Sequence, residues 1–158
     1  MLAKIDPIID HSVRGLCSRP YPGHPKGCPN HAKKQGCPPG ARLFDQVYDL
    51  RQPVFVIWNA FPIGEHAARM RELHPDWSER QLYCCLYWQP KARAQLTEIV
   101  PRFYAEHSRE GYSIEYCPEA MGVNVTATMA SIGVELKWQP RDVAYQVALA
   151  WVPLKGVE

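Results

Sequence analysis

The sequence predicts an α+β domain, a small mixed or antiparallel sheet covered by helices, with an irregular cysteine-rich loop near its N-terminus. Three observations predict it. Residues 54–60, VFVIWNA, form a continuous apolar and β-branched run, as in a strand buried on both faces and central in its sheet. Residues 96–107 carry Leu96, Ile99, Val100, Phe103, Tyr104 and His107 at the i, i+3, i+4, i+7 spacing of a helix that lays one face on a sheet. Residues 143–151 alternate Val143, Tyr145, Val147, Leu149 and Trp151 with Ala144, Gln146, Ala148 and Ala150, the period of a strand. For 158 residues one core over 1–158 suffices, because a chain of this size removes about 70% of its unfolded surface from water.

Taken in order, residues 1–16 place Lys4, Asp6, Asp10 and Arg14 among apolar neighbours, so no secretory leader is expected and the chain should be cytoplasmic. Residues 16–40, LCSRPYPGHPKGCPNHAKKQGCPPG, hold six of the 15 prolines and show no period of 2 or 3.6, which marks irregular backbone. Such a loop buries little apolar surface to offset the entropy of fixing it, so a covalent or metal staple is expected within 16–42. After the 54–60 strand, Asp76 or Ser78 can cap a helix running to about Gln89, with Leu82, Cys85 and Leu86 on one face. A second helix is expected after Pro90, kinked at Pro101. Tyr112, Ile114 and Tyr116 alternate with Ser113 and Glu115, predicting a short strand that ends at Cys117 and Pro118. Asn124 caps a short helix carrying Val125, Met129 and Ile132 and closed by Gly133; residues 134–138, VELKW, alternate as a further strand, and 139–142 turn into the last one. No apolar stretch approaches the roughly 20 residues that cross a bilayer, so no membrane association is expected.

Charge is distributed unevenly. Residues 1–42 hold seven Lys or Arg against Asp6 and Asp10, a net +5 in a chain whose total is +2. Such a segment attracts an anion, whether nucleic acid, an acidic small molecule or the chain's own metal-thiolate centre.

Six cysteines in a reduced compartment favour metal binding or catalysis over disulfides. Cys17, Cys28 and Cys37 fall in the loop, separated by ten and eight residues, and Cys28, Cys37 and Cys117 are each followed by proline. A Cys-Pro step removes a backbone donor and fixes the chain direction beyond the ligand, and it recurs at cluster-binding cysteines. Soft thiolates on irregular backbone suit iron-sulfur or zinc chemistry and do not suit magnesium or calcium. The spacing matches neither the CxxC pairs of structural zinc sites nor a ferredoxin run. A 4Fe-4S cluster on Cys17, Cys28, Cys37 and Cys117 would be anionic, and Arg14, Arg19, Lys26, Lys33 and Lys34 interleave with those ligands to offset the charge. The zinc alternative adds His31 or His24. Cys84 and Cys85 point about 100° apart on a helix and read as core or near-core thiols. His66, His74 and His107 lack cysteine neighbours in sequence and receive no role. Glu119 is the one acid singled out near the proposed centre, and reads otherwise as a cap or ion-pair residue.

GCPNHAKKQGCPPG, a probable helix and VFVIWNA, followed later by CPEAMGVNVTATMASIG, resemble a family of small prokaryotic proteins described as predicted metal-binding, a domain of unknown function. The resemblance rests on Cys28, Pro29, Asn30, Cys37, Pro38 and Pro39, and on Glu119, Ala120, Gly122 and Val125. It implies an iron-sulfur or other metal centre shared between the loop and the cysteine before the second block. Members carry more cysteines ahead of that block than Cys117 alone.

Three functions follow as expectations. With all four cysteines bound, the centre is coordinatively closed and serves redox chemistry, electron transfer with an unknown partner, or a cluster-stabilised interaction module. With only the loop cysteines bound, one iron stays open as a Lewis acid for an anionic small molecule. A zinc-stapled nucleic-acid module would place Lys26, Lys33, Lys34 and Arg42 on phosphates and Tyr21 against a base. No nucleophile triad, phosphate-binding glycine loop or paired-carboxylate motif is present.

Overall fold

The computed structural model describes residues 1–20, 24–49, 51–107 and 111–156. Among the described residues the strands are β1 (Leu2–Ile5), β2 (Val54–Phe61), β3 (Ser113–Glu115) and β4 (Ala144–Trp151), joined in one antiparallel sheet of order β1-β2-β4-β3. The helices are α1 (Phe44–Val47), α2 (Ile63–Leu73), α3 (Glu79–Leu82), α4 (Cys85–Glu106) and α5 (Val125–Ser131), with 3₁₀ helices at His11–Ser18 and Pro118–Met121. The chain is α+β, and β2 lies inside the sheet as its apolar run predicts.

The two sheet faces are built from different residue sizes. On one face Val54, Val56 and Trp58 of β2 and Leu149 and Trp151 of β4 pack with Phe44, Val47, Val123, Val125 and Met129. On the other, Ile57 meets Ala148 and Ala150, and these small residues leave room for Leu96, Val100 and Phe103 of α4. Phe103 stacks on His107 at 4.6 Å and meets Phe55 at 5.6 Å, so His107 continues the helix stripe as a packing residue. Phe61, Ile63, Trp88, Ala92 and Ala144 extend the core toward α2.

Four details differ from the sequence reading. The helix expected from Ser78 to about Gln89 breaks at Tyr83, and α4 starts at Cys85 and runs on through Pro90 and Pro101. The break lets both Leu82 and Trp88 reach the core, and the Trp88 indole donates to the Tyr83 carbonyl at 3.3 Å. Each proline frees a carbonyl four residues back, at Leu86 and Thr97, and both residues are exposed, so water can satisfy them. Leu86, 68% exposed, is therefore not a core residue. VELKW forms no strand; Val134 and Leu136 pack on the core from an irregular segment, so hydrophobic alternation there serves packing without a ladder partner. Finally β1 and α2 lie where the sequence reading placed no element, although Ile63, His66, Ala67 and Met70 have helical spacing. Among the described residues no helix is long and apolar enough to cross a membrane.

Candidate metal centre

Residues 8–18 and 117–124 are far apart in sequence and lie side by side. The Asp10 amide donates to the Gly122 carbonyl at 2.8 Å, the Asn124 amide donates to the Ile8 carbonyl at 2.8 Å, and Ile9 bridges to Val123. Asp10 starts the first 3₁₀ helix by accepting from the Ser12 amide at 3.0 Å and its hydroxyl at 2.6 Å. Gly122 sits at φ +84°, and a Cβ there would come within 2.8 Å of the His11 ring. The helix that ends at Cys17–Ser18 is thereby held beside the turn that begins at Cys117.

Cys28 is brought to Cys17 by backbone alone. Its amide donates to the Cys17 carbonyl at 2.8 Å, and the preceding Gly27, buried and at φ +79°, would place any Cβ 2.7 Å from that same carbonyl. Only glycine permits this approach. Cys37 follows from a series of turns: the Lys33 and Lys34 amides donate to the Asn30 carbonyl, Cys37 to Lys34, Ala41 to Cys37, and Ala32 back across to Pro38 at 2.8 Å. Arg14 closes the loop onto the 3₁₀ helix by donating to the carbonyls of Pro39 and Ala41 at 3.1 and 2.8 Å. Turn hydrogen bonds and one guanidinium thus supply order that the composition alone assigns to a staple.

The electrostatics identify one shared neighbourhood. Burial pushes the Cys17 thiol up, the thiols of Cys28 and Cys37 and the Glu119 carboxylate add to this, and Arg14 opposes it. Cys117 is exposed as a residue, and partial desolvation of its thiol raises it, helped by Glu115, Glu119 and Cys37 and opposed by Arg93 of α4. Cys37 therefore lies close enough to both Cys17 and Cys117 for its charge to be felt by each. Burial raises Glu119 as well, with Glu115 adding to the effect. Cys17, Cys117 and Glu119, whose ionisation is disfavoured by burial and by acidic neighbours, make a neighbourhood that a cation would relieve, since metal binding displaces protons. The Cys117 amide donates to Glu115 at 2.6 Å, which fixes the end of β3.

The other residues singled out in the sequence do not contribute to the shifts at Cys17, Cys117 and Glu119. Cys84 and Cys85 flank the start of α4; Cys85 packs on the Phe61 and Trp88 cluster, and burial then Cys84 raise its thiol. His24 and His31 are half-buried in the loop. Among the described residues no group of three or more His, Cys, Asp or Glu is arranged to hold a single metal ion. Lys26, Lys33 and Lys34 are exposed, while Tyr21, the stacking residue of the nucleic-acid reading, lies outside the described residues. Arg93, which acts on Cys117, carries no sequence signal, because α4 must pack on the sheet before the two meet, whereas Glu115 is only two residues from Cys117. Comparison with protein-family models, with curated proteins and with solved structures found no match.

Proposed function

We propose that the protein binds a 4Fe-4S cluster through Cys17, Cys28, Cys37 and Cys117 and works in the cytoplasm as an electron carrier. The observation that supports this best is the placement of Cys37 near both of the other segments: Cys28 and Cys37 both raise Cys17, and Cys37 also raises Cys117. Thiolates held on irregular backbone are the donor chemistry such a cluster takes, and when bound it supplies a reversible one-electron couple. Arg14 and Arg93 reach Cys17 and Cys117 respectively, and their cationic charge would offset that of a cluster and set its potential. Pro29, Pro38 and Pro118 fix the backbone just beyond three of the ligands.

Anaerobically purified protein is expected to be brown and to contain iron with acid-labile sulfide. Cys117→Ala should abolish the cluster. Retention of a full cluster in that variant would instead support a three-cysteine site with one open iron, and colourless protein with stoichiometric zinc would replace the iron-sulfur reading altogether.

A further inference from the structure

Away from the cysteines, a small pocket of about 70 Å³ lies where the start of α2 meets the first half of α4. Its walls include Phe61 at the end of β2, Glu65, His66 and Arg69 of α2, and Lys91 and Gln95 of α4. We propose that this pocket binds a small oxyanion, a carboxylate or phosphate group, between Arg69 and Lys91, with His66 and Gln95 as neutral walls.

Three observations carry the assignment. First, two cations from different helices line one pocket, and neither Arg69 nor Lys91 forms an ion pair among the described residues, whereas Arg51, Arg71, Arg102 and Arg141 all do. Glu65 lines the same pocket one turn before Arg69 and does not close onto it. Second, His66 is only 5% exposed, and its Nε2 has no hydrogen-bond partner among the described residues. The Arg69 guanidinium lies 3.4 Å from His66 Nδ1. A guanidinium only donates, so Nδ1 accepts and the ring proton sits on Nε2 as an unused donor. Third, the neighbouring polar wall is fixed in place. Asn59 of β2, itself buried, donates to the Ala92 carbonyl at 3.0 Å and to Gln95 Oε1 at 3.3 Å, which holds the Gln95 side chain that lines the pocket. Burial, and after it the charges of Arg69 and Lys91, hold His66 below its ordinary value, in keeping with positive charge at this end of α2 and α4. Excess positive charge in a pocket also lined by Phe61 and Gln95 is the environment an oxyanion completes. The volume admits a single such group.

The test is calorimetric titration of the purified protein with inorganic phosphate and, separately, acetate at constant ionic strength, while the His66 ring resonances are followed by NMR. Saturable binding of at least one anion, with a saturable shift of the His66 resonances, is expected. In Arg69→Gln/Lys91→Gln both should weaken at least tenfold, whereas Lys33→Gln/Lys34→Gln on the cysteine loop should leave them unchanged. Saturation by phosphate alone assigns a phosphate group, and saturation by acetate alone a carboxylate. Binding that survives in the Arg69/Lys91 variant but disappears in the Lys33/Lys34 variant puts the anion on the loop and overturns the proposal, as does the absence of saturable binding by either anion.

Discussion

The two halves of the structure that meet at the candidate centre hold their shape by different means. In the sheet and α4, order comes from apolar burial: Val54, Val56, Ile57, Phe103 and Leu149 are almost wholly removed from water, and each side chain is enclosed by several others. In the segment 24–42, order comes from turn hydrogen bonds, Gly27 and the Arg14 guanidinium, while most side chains stay exposed. The first kind of order is cooperative and tolerant of sequence detail. The second depends on individual backbone contacts, so that region is the more sensitive one to a bound metal and to single glycine substitutions.

That contrast can be broken from either side. The largest effect is expected in the core: Phe103→Ala removes a ring enclosed by Phe55, His107 and Tyr112 and should cost about 3–5 kcal/mol in urea unfolding. Metal content per folded molecule should be unchanged, and a parallel loss of metal would show that the two regions are one cooperative unit. Next comes Gly27→Ala. Left-handed backbone at a residue with a Cβ costs about 1–2 kcal/mol, and the 2.7 Å approach to the Cys17 carbonyl adds a clash. Metal binding should fall sharply while far-UV circular dichroism stays close to that of the parent.

Asn124→Ala should cost about 1 kcal/mol, since Asn124 Oδ1 accepts from the Ala127 amide at 3.0 Å as the cap of α5. Because Asn124 Nδ2 also reaches Asp10, the same change should raise hydrogen exchange in residues 8–12 before it does so in β2. The smallest effect concerns pH. Burial, with Arg69 and Lys91 beside it, holds His66 below the ordinary imidazole value, so the folded protein keeps the ring neutral where the unfolded chain takes up a proton. Stability from this group is complete above about pH 6.5 and is lost as pH falls below it. Comparing urea midpoints at several pH values for the parent and for His66→Gln measures it, and an equal pH slope in both would remove His66 as the cause.

Much of this architecture can be read in the residues themselves. β2 is apolar on both faces because both faces are covered, and the two faces of β4 separate Leu149 and Trp151 from Ala148 and Ala150 as the alternation requires. Asn124 caps α5, and Tyr112 to Tyr116 bracket β3. Short-range patterns of this kind are local, so the sequence carries them openly. The errors are where local pattern and tertiary packing disagree: a helix that breaks at Tyr83 so that Leu82 and Trp88 can both be buried, and the alternating residues 134–138, which find no strand to pair with.

For the candidate centre the division is sharper. The residue types and the Cys-Pro steps, and hence the kind of chemistry expected, are written in the order of the residues. That Cys37 senses both Cys17 and Cys117, that Gly27 must lack a side chain, and that Arg93 acts on Cys117 depend on contacts across 10 to 80 residues of chain. The oxyanion pocket is the extreme case, since Arg69 and Lys91 have ordinary surface spacings and meet only because α2 and α4 cover the same end of the sheet. Chemistry is carried by residue identity, which is one-dimensional. Proximity is decided by which apolar faces bury each other, and only the folded chain settles that.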